Sequence, residues 1–378
     1  MLKKTTLALC LSAAALSAPA FGDEDRDQGR DAIPELRHVF LIMMENHSAS
    51  EILGNTANAP FISQLAQSAN VAANYFAVGH PSLPNYLHVV GGSNFGVAGD
   101  PTPKWHNDPG SPGTVVPLAG SGVDLPTPAS LTGATGGQDL AASGYVAMTI
   151  ADQLHAIGKT WKTYQESLPA GGADKVDYSD GVFSNLSSNL SPVEQADIAK
   201  QYAVKHNPFA YFDNIQRSAD SDNGLGNIVG FDGTNGLFAD LRAGSMPSLA
   251  FIAPNQCRDM HGLGNAGAFC ATDATTIRMG DATVETLVTA IKGSQSWKEG
   301  NNVIIVMWDE NDFSNSPNLV GMIVDSNYGV HGVKSAKPYN HHSLLRTLEA
   351  GFGLGCLNHA CDGNVQVMSD VFARSHRR

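Results

Sequence analysis

Two apolar runs in this chain end abruptly in oxygen ligands. Val39-Phe40-Leu41-Ile42-Met43 leads into Met44-Glu45-Asn46, and Val303-Ile304-Ile305-Val306-Met307 leads into Trp308-Asp309-Glu310. Unbroken apolar runs of this length read as strands buried on both faces, as in a parallel sheet. Ligands of open α/β sheets gather beyond the carboxyl ends of such strands. Acidic clusters at two strand ends repel each other, and a bound cation relieves that repulsion. The pattern therefore points to a metal-dependent hydrolase. Taken alone, Asp309-Glu310 also fits a solvated loop after a strand; Glu45 and Ser82 beside it weigh against that.

Further apolar runs at Ser248–Ile252 and Leu319–Val324 alternate with helical periods at Pro60–Ser68, Thr149–Gly158 and Asp281–Lys292. Strands alternating with helices predict a three-layer α/β domain, with a mainly parallel central sheet flanked by helices. With 378 residues and no evident linker, a single domain over 37–376 is expected. The stretch Asp100–Gly137 is rich in Gly, Pro, Ser and Thr and reads as a surface excursion, as does the shorter polar loop Asn185–Asn189.

The first 22 residues read as an export signal. Lys3 and Lys4 precede an apolar Thr6–Leu16 run, and Ser17-Ala18-Pro19-Ala20 supplies a small-residue cleavage pattern. That run is too short to span a bilayer. Cys10 lies within it, and Leu9 is not the small residue a lipoprotein signal needs, so no stable membrane anchor is expected. Residues 23–36 form a charged, flexible leader, and the product is periplasmic or secreted. A formal charge of -13 argues against nucleic acid as a partner. Four cysteines remain: Cys257, Cys270, Cys356 and Cys361. In an exported chain an even count suggests two disulfides, and the local pairs 257–270 and 356–361 are favoured among three pairings. A zinc site from all four lacks the paired Cys-x-x-Cys knuckles.

Pro81 and Pro84 bracket Ser82 in His80-Pro81-Ser82-Leu83-Pro84-Asn85-Tyr86, and Gly91-Gly92 follows an apolar stretch. This predicts a helix that starts near Ser82 and breaks at the glycines. A serine at a helix N-terminus is either a plain cap or, beside a cation, a nucleophile in a site that attracts anions.

Met44-Glu45-Asn46-His47-Ser48, Pro81–Tyr86, Trp308-Asp309-Glu310 and Tyr339-Asn340-His341-His342-Ser343-Leu344-Leu345-Arg346-Thr347 together resemble the bacterial phosphoesterase family. That family includes secreted acid phosphatases and phospholipases C of the alkaline phosphatase-like superfamily. The resemblance runs from about Arg37 to Leu354 and implies an alkaline phosphatase-like fold. It implies Glu45, Asn46, Asp309 and Glu310 as metal ligands, with Ser82 as nucleophile also touching the metal. His261 or His341 would protonate the leaving group. Asp259-Met260-His261 resembles a segment that holds a second ion in two-metal relatives. Here its spacing is short and position 310 is Glu, which favours one divalent ion. An oxygen shell suits Ca²⁺, Mg²⁺ or Mn²⁺ over Zn²⁺, although carboxylates bind zinc too. Trp161, Tyr164 and Glu166 fit a W-x-x-Y-x-E pattern, and His206-Asn207-Pro208 an H-N-P pattern.

The expected partner is a small phosphorylated substrate, met by Asp100, Tyr164, His206 and Asp259. His206 also fits a pocket-wall imidazole satisfied by backbone, and Trp161, Tyr164 and Glu166 also fit packing roles. Asp281 after Gly280 reads as a helix N-cap, and His331, His342, His359 and Asp312 as structural or surface groups. The leading expectation is an acid phosphatase working through a phosphoserine. The rival is a phospholipase C, whose quaternary ammonium would want an aromatic cage from Trp105, Trp161 and Tyr164. A non-catalytic phosphate- or metal-binding protein would have lost the serine or an acidic ligand, and both are present.

Overall fold

The structure, a computed structural model, describes residues 33–97, 99–100, 103, 147–168, 201–262, 270, 272–312 and 317–373. The export signal with Cys10, most of the leader, Trp105, nearly all of the 100–137 excursion and the 185–189 loop lie outside the described residues. Among the described residues there are ten strands: β1 (His38–Met44), β2 (Asn70–Ala72), β3 (Tyr75–Phe76), β4 (Trp161–Gln165), β5 (Ile228–Val229), β6 (Leu249–Ala253), β7 (Asn302–Trp308), β8 (Met322–Ser326), β9 (Lys334–Ser335) and β10 (Tyr339–Asn340). The helices longer than one turn are α1 (Pro60–Ser68), α2 (Ser82–Gly91), α3 (Ile150–Ala156), α4 (Leu237–Ala243), α5 (Asp273–Gly293) and α6 (His341–Phe352).

Eight strands form one sheet in the order β5-β4-β6-β1-β7-β8-β2-β9, and β3 pairs with β10 apart from it. From β5 to β7 every pairing is parallel; β8 runs antiparallel to both β7 and β2. Every residue of β1, β6, β7 and β8 is buried. Burial of each Val, Leu, Ile, Phe or Met side chain contributes roughly 1.5–3 kcal/mol, so the apolar runs that announced β1 and β7 also anchor the core. The helices fall into two groups. α5 contacts both α1 and α4, and α2, α3 and α6 form the other set, giving the flanked α/β sheet that the sequence pattern predicts.

Several boundaries differ from the sequence expectation. The 248–252 strand shifts by one residue, and the 319–324 run becomes a strand only from Met322. Val320 and Gly321 instead donate their N–H groups to the Tyr75 carbonyl, and Gly321 sits at φ +70. Ile33 and Leu36, assigned to a flexible leader, are buried in the core, and Leu36 N–H donates to the Gly351 carbonyl. The helix expected from Asp281 begins at Asp273, so Asp281 is not its N-cap. Its carboxylate instead accepts from Phe61 N–H at 3.1 Å and Ile62 N–H at 2.8 Å. It caps α1 from a neighbouring helix, where Ala59 offers no side-chain acceptor.

Both local disulfides are formed, 257–270 and 356–361. Beside the second lies a buried group of imidazoles. His88 Nδ1 is 2.9 Å from His342 Nε2, and His359 Nδ1 is 2.9 Å from the Asp362 carboxylate. The His342 and His359 rings lie tilted to each other with centres 5.3 Å apart.

Candidate active site

The register of the central strands sets the site. β1 and β7 pair from His38 with Asn302 to Met44 with Trp308, so Glu45 and Asp309 emerge level with each other. Asp309 N–H donates to the Met44 carbonyl, and Glu45 N–H donates to the carbonyl of Asp259, in the loop beyond β6. Three parallel strands thus deliver carboxylates to one place. The backbone is bent to do so: Asn46 (φ +46) and Met260 (φ +87) both occupy the left-handed region. Non-glycine residues there are uncommon and concentrate at functional sites. His47 Nε2 lies 3.2 Å from the Met260 carbonyl and pins that turn.

Ser82 is the first residue of α2, with Pro81 at the cap in an extended conformation. Pro84 falls within the first turn, where its missing N–H costs no intrahelical bond. The helix ends at Gly92 (φ +74), where a side chain would meet the Leu357 carbonyl. Ser82 Oγ donates to Glu45 Oε2 at 3.1 Å and lies 3.4 Å from Glu310 Oε1. Asn85 Nδ2 donates to Glu310 Oε2 at 3.0 Å, His80 Nδ1 lies 2.9 Å from the same oxygen, and the Tyr86 hydroxyl donates to Glu45 Oε1.

Ser82, Glu45, Asp259, Asp309 and Glu310 are each 0–1% exposed, so four acidic groups share a nearly dry space. Burial, then the charge of Asp309, holds Glu45 well above the ordinary carboxyl range. Burial and Glu45 do the same to Asp259, and burial and Glu310 to Asp309. Burial, then the charge of Asp100, pushes Glu310 up to about 8. Asn46 Oδ1 and Asp309 Oδ2 are buried without hydrogen-bond partners, and Asp259 Oδ2 and His206 Nε2 meet only each other's side chain and Glu45 at 3.3 Å. Unpaired buried acceptors are expensive, and acceptors set among four acidic groups are consistent with a bound cation.

The residues fit a divalent ion in two overlapping sets. Glu45, Asn46, Ser82, Asp309 and Glu310 offer oxygen. Glu45, His206 and His261 offer one oxygen and two imidazoles whose ligand atoms all lie within 4.8 Å of one another. Of the second set, Glu45 is a ligand that the sequence implies and His261 lies in the segment resembling a second-ion site, whereas His206 was not read as a ligand. His206 Nε2 is 3.3 Å from Glu45 Oε1, and its Nδ1 is 3.3 Å from Asp259 Oδ2. Its ring stacks on Tyr86 with centres 5.4 Å apart.

The other expected residues divide. Asp100 reaches the start of α2, accepting from Leu83 N–H at 3.0 Å. His261 donates from Nδ1 to the Gly262 carbonyl at 2.7 Å, which leaves Nε2 as an acceptor 3.5 Å from Lys205 Nζ. Burial pulls His261 down to about 4. His341 has both ring nitrogens engaged: Nε2 donates to the Asp309 carbonyl at 2.7 Å, and Nδ1 is 3.0 Å from the Tyr75 hydroxyl. Tyr164 is committed elsewhere, its hydroxyl donating to Asp240 at 2.7 Å. Glu166 accepts from Asn255 N–H and pairs with Arg258 at 3.1 Å, and Trp161 Nε1 donates to Asn223. Trp161 and Tyr164 therefore build no aromatic cage here. Sequence reading missed His80, Asn85, Tyr86 and Lys205 as members of the site. Their one local signal was proximity to Ser82 and to His206.

Comparison with known proteins gives the family. The model of the phosphoesterase family matches residues 55–355. A Mycobacterium tuberculosis protein named phosphatidylinositol-3-phosphatase is 26% identical, over 90% of this chain and 84% of its own length. A Kluyveromyces lactis protein named "Probable acid phosphatase" is also 26% identical, over 87% of this chain. The chain spans 61% of that relative's length. A solved structure of a Vibrio parahaemolyticus protein in the alkaline phosphatase superfamily aligns over 87% of this chain and 71% of its own, with a TM-score of 0.46 and 12% identity. With the family model matched across most of its length, the chain belongs to the phosphoesterase family.

Proposed function

We propose that the chain is an exported phosphoric ester hydrolase of acid phosphatase type, acting on phosphomonoesters with Ser82 as nucleophile and a divalent cation as cofactor. The observation that carries this reading is the setting of Ser82 Oγ. It stands at the head of α2 and in contact with Glu45 and Glu310, within a buried acidic cluster with orphaned acceptors. The names borne by the relatives, acid phosphatase and phosphatidylinositol-3-phosphatase, both denote removal of a phosphate monoester. Export rests on the N-terminal sequence; no helix among the described residues is long and apolar enough to cross a membrane.

Glu45, Asn46, Asp309 and Glu310 would hold the cation, with Ser82 against it. When bound, the cation supplies positive charge that offsets the carboxylates, favours loss of the serine proton and stabilises charge on phosphoryl oxygens. Ser82 Oγ, whose proton points at Glu45 Oε2, bonds to phosphorus as the bond to the leaving oxygen breaks. The leaving oxygen departs as an alcohol with a proton from His261, protonated at Nε2 in acid solution. Water then cleaves the phosphoserine, releasing phosphate and returning the protons to serine and imidazole. His341 acts as a positioning residue: its bonds to the Asp309 carbonyl and to Tyr75 hold the end of β7 in place.

The test is turnover of p-nitrophenyl phosphate and p-nitrophenylphosphorylcholine by the wild type and Ser82→Ala, before and after chelation and metal restoration. Monoester turnover that needs both Ser82 and the cation supports the proposal. Turnover of the choline ester alone replaces it with a phospholipase C, and no turnover with metal bound replaces it with a binding protein.

A further inference from the structure

Lys205 is the ammonium of this site, and no ligand or catalytic role above uses it. It belongs to the 3-10 turn Val204–His206, and its side chain is 18% exposed. The charges of Glu45, Asp259, Asp309 and Glu310 all feel it. Nζ bonds to Asp100 Oδ2 at 3.1 Å and reaches His261 Nε2 at 3.5 Å. The other oxygen of the same carboxylate accepts the Leu83 N–H, one residue past Ser82.

Asp100 thus holds two donors: a side-chain ammonium and the amide of the residue after Ser82, in the first turn of α2. Both suit an anion with oxygens spread around a central atom. An amide at a helix start and a lysine are the two kinds of group that recur around bound phosphate. Asp100 is half-solvated, at 26% exposure, so a stronger anion can displace it at modest cost.

We propose that Lys205 is a substrate-binding residue that takes the non-bridging oxygens of the phosphoryl group, and that Asp100 is its internal counter-ion, displaced when phosphate arrives. This rests on the phosphomonoesterase reading of the same site. Binding transfers Lys205 from one anion to another.

The experiment measures inorganic phosphate binding by calorimetry, and KM and kcat for p-nitrophenyl phosphate, on the full-length, metal-supplied protein. The variants are Lys205→Met, Lys205→Arg and Asp100→Asn, each checked for wild-type thermal unfolding. Lys205→Met is expected to weaken phosphate and raise KM in parallel by roughly 10- to 100-fold, the loss of a charge-assisted hydrogen bond. Lys205→Arg is expected to recover most of this, and Asp100→Asn to tighten phosphate several-fold. Unchanged phosphate affinity in folded Lys205→Met, or weaker affinity in Asp100→Asn, overturns the proposal. Failure of the wild type to turn over the monoester instead rejects the functional reading, and phosphate binding still decides the role of Lys205.

Discussion

The acidic site and the imidazole group behind it are two answers to one problem, ionisable groups taken out of water. At the strand ends, four carboxyl groups crowd together, and burial raises all of them. Between α2 and α6, burial first and the neighbouring imidazoles second push His88 and His342 well below their ordinary value. An imidazole sheds its charge near neutrality and stays as a packed, neutral ring. A carboxylate cluster reaches neutrality only by gaining protons or a cation. The imidazole group closes on itself, while the acidic site keeps a demand for protons or a cation from outside the chain.

Removing the serine gives the largest effect that separates the regions. Ser82→Ala should lower kcat by at least about 10⁴-fold, the scale of losing a nucleophile, with thermal unfolding little changed. Replacing His342 by Phe, which keeps a ring in the same space, should leave most of kcat intact; a comparable loss in both variants erases the distinction.

Next in size is the response to cation removal. Chelation should abolish turnover and lower the melting temperature. At a hundredfold excess over its dissociation constant, a bound cation adds about 2.7 kcal/mol. Asp309→Asn with Glu310→Gln should unfold at a higher temperature than the metal-free wild type, because the mutual repulsion is gone, and should no longer respond to added metal. A double variant less stable than the metal-free wild type would show that the carboxylates are held by something other than a cation.

A smaller effect belongs to the imidazoles. His88 and His342 are neutral when folded and have ordinary values near 6.5 when unfolded, so the unfolded chain binds more protons as pH falls. Their contribution is complete above about pH 6.5 and erodes below it toward the lowered folded values, by ~1.4 kcal/mol per pH unit for each group. His342→Phe should flatten this limb in denaturant titrations between pH 7 and pH 5. An unchanged slope would mean that the imidazoles accept protons while folded. The smallest effect is expected from Tyr164→Phe: its hydroxyl is bonded to Asp240, and kcat/KM should change by less than about twofold.

What could be read from sequence tracks how local the cause is. The ends of β1 and β7 were legible because a buried parallel strand writes itself as an apolar run, and register then carries Glu45 beside Asp309. Ser82 was legible because two prolines fix the start of α2. Asp281 was misread because its partners are amides of another helix, more than two hundred residues away. Lys205 and His80 carry no pattern of their own; only the folded loops bring an ammonium and an imidazole against these carboxylates. Tyr164 matched a family pattern, yet the pattern does not distinguish a side chain that lines a pocket from one that ties a strand to a helix.

Every residue of α2 from Ser82 to Gly91 is buried, and Gly92 is pressed against the Leu357 carbonyl. Such a helix has no exposed edge from which to fray. Its amide hydrogens should exchange with solvent only when the whole molecule opens, at the slowest rate in the protein. Heat or denaturant should therefore leave no population of loosened but folded molecules in which Ser82 has left its place. Residual turnover during inactivation would count intact molecules, and an activity assay would double as a measure of global unfolding.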